Sequence, residues 1–104
     1  MPSFIVRVEL PNKPHGDYAQ LHRDMYKARY YTVIQATGGA LWHLPHAMYD
    51  ATGENWTMQM IRDEVLTIAK RSHDNPRVFV AEYDRACWDG LRPVTSVDPA
   101  PSYD

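Results

Sequence analysis

The chain has 104 residues, 44% hydrophobic and 23% charged, with a formal charge of −2, which is close to the average for a water-exposed globular domain. That length supports one domain burying roughly 60–70% of its unfolded surface, and the near-neutral balance excludes a global basic field, so any nucleic-acid contact must come from a local patch. No apolar run approaches the roughly 20 residues of a membrane span, and the start MPSFIVRVEL lacks the basic region and cleavage site of a secretory signal, so a cytoplasmic protein without membrane association is expected.

Residues 3 to 10 alternate as a strand does, with Phe4, Val6, Val8 and Leu10 on one face and Ser3, Ile5, Arg7 and Glu9 on the other. Pro11 and Pro14 end it, because proline removes a ladder donor and fixes φ. Asp17 then reads as a helix N-cap that forms a capping box with Gln20. Over residues 17 to 29, Tyr18, Leu21, Met25 and Ala28 form the apolar stripe, flanked by His22, Arg23, Tyr26 and Lys27.

Residues 30 to 44 read as a hairpin turning at Gly38-Gly39, since aromatic and β-branched residues precede a pair that tolerates positive φ. Pro45 stops it, and residues 46 to 56 read as a long loop or a short helical turn. Met58, Ile61, Val65, Ile68 and Ala69 mark a second helix over 57 to 72, and 77 to 84 is the last strand. A polar, proline-broken tail is expected to be flexible over residues 92–104, after a domain of residues 1–91. The order β-α-β-β-α-β predicts an α+β ferredoxin-like sandwich, a four-stranded antiparallel sheet with two helices on one face.

Such a sheet leaves its second face bare, and here Ile5, one parity class of Tyr30, Tyr31, Val33 and Ile34, and either Leu41 or Trp42 fall on it. An apolar patch of that kind predicts a homodimer through sheet faces or edge strands; the bland alternative is that the segment around Trp88 folds over it. His43-Leu44-Pro45-His46 puts two imidazoles three residues apart, but Pro45 prevents a common helical face, so ordinary strand-end histidines and no metal site are expected. Lone Cys87 excludes an internal disulfide and reads as an inert thiol. No glycine-rich phosphate loop or serine nucleophile elbow occurs, and no cofactor is expected.

The run from His22 to Tyr31 is chemically richer, because cationic side chains alternate with rings that stack on unpaired bases. Cleaving RNA without a metal needs a base for the 2′-hydroxyl, an acid for the leaving oxygen and a cation on the phosphorane, roles open to His, Tyr and Arg. Arg7, Tyr26, Lys27, Arg29 and Tyr30 are the candidate RNA-binding residues; a solvated basic helix face is the plain alternative.

The pattern Leu21-x-x-x-Met25-Tyr26-x-x-x-Tyr30-x-x-x-Ile34, after a strand and the Asp17-Tyr18 helix start, resembles the GhoS-type endoribonuclease antitoxins of type V toxin–antitoxin systems. Leu44-Pro45 and Tyr49 extend the likeness, which covers roughly residues 3 to 84. It implies a ferredoxin-like cytoplasmic protein of bacterial or phage origin that cuts a specific mRNA encoding a small membrane toxin, with no obligatory cofactor. By position it implies His22, Arg23 and Glu9 as catalytic, with histidine standing where an arginine is expected.

Three function classes therefore stand side by side. An endoribonuclease-like antitoxin cleaves or binds mRNA; a non-catalytic interaction module of phage or mobile-element origin binds a protein through its aromatic sheet face; a dimeric α+β-barrel enzyme or binder takes a small aromatic molecule near His43 and His46. RNA cleavage separates the first, an RNase-resistant protein complex the second, and a closed apolar pocket holding those histidines the third.

Overall fold

The structure, a computed structural model, describes residues 1–95. It is a mixed α+β globule whose order is β1 (Ser3–Glu9), a 3-10 turn (His15–Tyr18), α1 (Ala19–Lys27), β2 (Val33–Gln35), β3 (Leu41–His43), β4 (Met48–Thr52), α2 (Met58–Ala69) and β5 (Arg77–Tyr83). One antiparallel sheet runs β4-β1-β5, and β2 and β3 pair as a separate two-stranded ribbon. The four-stranded sheet expected from the sequence is thus replaced by three strands plus two.

The difference lies in which segment pairs with β1. The hairpin turns as expected, with Gly38 and Gly39 at φ +108° and +98°, but its return strand stays with β2. The partner of β1 is Met48–Thr52, inside the stretch expected to be a loop, with Phe4 opposite Ala51 and Val6 opposite Tyr49. Only a five-residue strand separates the turn at Pro45 from Gly53, and Asp50 at its centre weakens the strand signal. The structure accommodates that carboxylate on the outer face, where the Tyr83 hydroxyl donates to it at 2.6 Å. The ribbon joins this edge through a bridge in which Tyr31 and Asp50 exchange backbone hydrogen bonds of 3.0 and 2.7 Å.

Both helices cover the same sheet face. Phe4, Val6 and Val8 of β1 and Tyr49 and Ala51 of β4 share one buried cluster with Leu21 and Met25 of α1 and Ile61, Val65, Ile68 and Ala69 of α2. Emptying one such position, as in Met25→Ala, costs about 2–5 kcal/mol by the usual cavity rule. Met58, expected in the stripe, sits in the first turn of α2 and is exposed.

The start of α1 differs from the expected capping box. Pro14, with φ −68°, opens a 3-10 turn, and the Asp17 N–H donates to its carbonyl at 2.9 Å, so Asp17 already lies inside the turn. Gln20 instead donates to the Asp24 carboxylate one turn along, at 2.9 and 3.0 Å. The end of β1 is satisfied by a phenol: the Tyr18 hydroxyl accepts from the Leu10 N–H at 2.7 Å and donates to the Leu10 carbonyl at 3.3 Å. Residues 92–94, expected to begin the tail, lie along β3; the His43 N–H donates to the Arg92 carbonyl at 2.8 Å and the Val94 N–H to the Leu41 carbonyl at 2.9 Å. The remainder of that tail, 96–104, lies outside the described residues.

Candidate functional site

Three of the five histidines gather where the 3-10 turn, α1 and the approach to β4 meet, and a fourth, His43 of β3, shares a cavity wall with one of them. The rings of His15 and His46 stack with centroids 3.7 Å apart and planes 15° from parallel. Tyr18 meets the His46 ring edge-on at 4.5 Å, and His22 does so at 5.6 Å. Behind them, His22 Nδ1 and the Tyr49 hydroxyl lie 2.6 Å apart. Burial, with the nearby Tyr18 phenol, raises the Tyr49 pKa far above its ordinary value, so this hydroxyl keeps its proton and can donate to the imidazole. The fifth histidine, His73, is structural: Nδ1 accepts from the Asn75 N–H at 2.9 Å, which leaves Nε2 to donate to the Pro11 carbonyl at 2.8 Å.

Beside the stacked rings lies a cavity of about 240 Å³ whose walls include Thr32, His43, His46 and Arg92. The fold assembles it from three places. The ribbon contributes Thr32 and His43, the turn before β4 contributes His46, and the backbone pairing of Arg92 with His43 brings the guanidinium-bearing residue alongside. Ala47, also in the wall, has φ +57°, a left-handed conformation that costs an alanine about 1–2 kcal/mol. It is held by bonds from the Val8 N–H to the Ala47 carbonyl and from the Met48 N–H to the Pro45 carbonyl, both 3.1 Å. Among the described residues, no carboxylate lines the cavity. Two histidines, a threonine and an arginine, with no opposing acid among the described residues, give a wall whose chemistry suits an anion.

The residues singled out from the sequence do not meet at one point. His22 is 1% exposed and lies behind His46 in the ring cluster. Arg23 is exposed on α1 and donates to Gln20 Oε1 at 3.1 Å. Glu9 points to the sheet face away from the helices, where Arg77 reaches it at 2.6 Å, and Arg7 shares that face. Tyr26 is exposed and packs edge-on against Tyr31 at 5.4 Å. Lys27, Arg29 and Tyr30 line a different cleft, between the end of α1 and the start of α2.

The sequence already exposed His43 and His46 as a pair, but their closure with Arg92 depends on a backbone pairing that no local pattern announces. Among the described residues, no three His, Cys, Asp or Glu side chains are grouped to hold a metal ion, and no helix is long and apolar enough to cross a membrane. Cys87 is exposed and unbridged. Comparison of the chain with protein families, with curated proteins and with solved structures found no match.

Proposed function

We propose that the protein binds RNA and cleaves its phosphodiester backbone at the cavity formed by Thr32, His43, His46 and Arg92. The observation that carries this reading is that His43, His46, Thr32 and Arg92 share the wall of one cavity in which, among the described residues, there is no carboxylate. One imidazole takes the proton of a 2′-hydroxyl, whose oxygen attacks phosphorus. The bond from phosphorus to the 5′-oxygen breaks, and the other imidazole returns a proton to that leaving oxygen. Arg92 offsets the extra negative charge of the phosphorane. The products are a 2′,3′-cyclic phosphate and a 5′-hydroxyl, and no oxidant or co-reactant is consumed. His22 and Tyr49 act behind the site by positioning the His46 ring.

The likeness to the endoribonuclease antitoxins agrees with this reading in activity and suggests a toxin mRNA as target, while the residues it implied, His22, Arg23 and Glu9, lie apart from the cavity. A ferredoxin-like ancestry is compatible with it: the Tyr31–Asp50 bridge then stands for the fourth strand, and the ribbon is an insertion. The polar lining of the cavity disfavours the small-aromatic-molecule alternative, which calls for a closed apolar pocket. Incubating purified protein with single-stranded RNA in excess chelator tests the proposal. Cleavage by the wild type, with losses of about 10²-fold or more in His43→Ala and in His46→Ala, is expected; unaltered rates in both folded variants would remove these histidines from the chemistry.

A further inference from the structure

A second cleft, of about 320 Å³, opens where the end of α1 meets the first turns of α2, and Lys27, Arg29, Tyr30, Trp56 and Glu64 line it. Its size is at the lower end of small-molecule sites, roughly 300 Å³ and upward. Tyr30 belongs to this cleft and Thr32 to the histidine cavity. Two residues span at most roughly 7 Å of chain, so the backbones of Tyr30 and Thr32 lie close together.

Arg29 closes α1 in an unusual way. Its N–H donates to the Tyr26 carbonyl at 3.0 Å and the Tyr30 N–H to the Met25 carbonyl at 2.9 Å, the pairing of a Schellman turn, whose left-handed position ordinarily takes glycine. Arginine occupies it at φ +73°, and this conformational penalty leaves a cation at the mouth of the cleft, beside Lys27. The opposite wall is fixed as well. Trp56 packs onto Gly53 so closely that a Cβ there would lie 2.2 Å from the indole, and the Tyr30 and Trp56 ring centroids are 6.1 Å apart. The Tyr30 hydroxyl donates to Glu64 Oε1, and the carboxylate has further acceptor capacity for another donor.

We propose that this cleft is a nucleotide subsite, holding one base of single-stranded RNA and its phosphate. The base stacks on the partly buried Trp56, whose indole is backed by the fully buried Tyr30 ring, Lys27 and Arg29 meet its phosphate, and Glu64 accepts from an exocyclic amino group. Adenine fits that acceptor better than uracil, whose corresponding edge offers one N–H between two carbonyls. The subsite extends the ribonuclease reading, and mononucleotides test it apart from cleavage.

The experiment is calorimetric titration of the full chain with 5′-AMP and 5′-UMP, repeated with Arg29→Gly. The wild type is expected to bind 5′-AMP more tightly than 5′-UMP. Arg29→Gly is expected to melt at a higher temperature yet bind 5′-AMP about tenfold more weakly, the loss of one charge-assisted phosphate contact. No binding of 5′-AMP by the wild type, equal binding of the two nucleotides, or unchanged affinity in Arg29→Gly would overturn the subsite. If RNA is still cut in those cases, the ribonuclease reading survives; if 5′-AMP binds as expected and RNA is never cut, the subsite stands and the ribonuclease reading falls.

Discussion

His22 shows how side-chain type was legible while side-chain placement was not. Its position beside the apolar stripe of α1 could equally serve a solvated flank or a buried face, and what decides is Tyr49, a strand residue 27 positions away that supplies a hydroxyl at 2.6 Å. Glu9 illustrates the opposite case, since strand parity alone sends it to the outer face, away from every helix residue proposed as its partner. Asp50 yields a test at this scale. Burial raises its pKa above the ordinary 3.8, while the hydrogen bond from Tyr83 works in the opposite direction. The folded state therefore holds this proton more firmly than the unfolded chain, and the carboxylate costs stability as pH rises through the window just above 3.8. Asparagine keeps an acceptor for Tyr83 without the charge. Asp50→Asn is expected to gain stability relative to the wild type as pH rises through that window, measured by denaturant unfolding at several pH values; a difference independent of pH would contradict the assignment.

At the scale of elements, the helices were readable because each presents an apolar face at helical spacing and meets solvent on the other. The first strand and the last were readable for the corresponding reason at period two. Met48–Thr52 was hidden because five residues with a central aspartate carry too little pattern, and because a hairpin nearby offered a stronger candidate for pairing with β1. The start of α2 is simpler: Thr57 is its N-cap, and its Oγ1 accepts from the Met60 N–H at 3.1 Å. Thr57→Ala is expected to lower stability by about 1 kcal/mol, with Thr57→Ser close to wild type. Equal midpoints for all three proteins in urea would show that the cap contributes nothing.

For the whole molecule, the sheet has one face under helices and the other open, with Phe79 64% exposed on the outer side of β5. Arg7, Glu9 and Arg77 surround it with both signs of charge, a surface able to meet its own copy about a two-fold axis. The homodimer expected from the sequence is proposed on this face: sedimentation should find a dimer in the wild type and a monomer in Phe79→Asp, and a monomeric wild type at high micromolar concentration would exclude it. The composition of the candidate site was visible as separate residue types, whereas its assembly needed the pairing of Arg92 with β3, a contact between segments about fifty residues apart. His43, His46 and Arg92 are proposed to carry out transesterification through a 2′-hydroxyl. End-group analysis of RNA cut in chelator measures this directly: 2′,3′-cyclic phosphate and 5′-hydroxyl ends, with no cut where the attacking 2′-hydroxyl is replaced by hydrogen, are predicted. Products bearing 5′-phosphates, or cleavage that persists at the deoxy position, would contradict it.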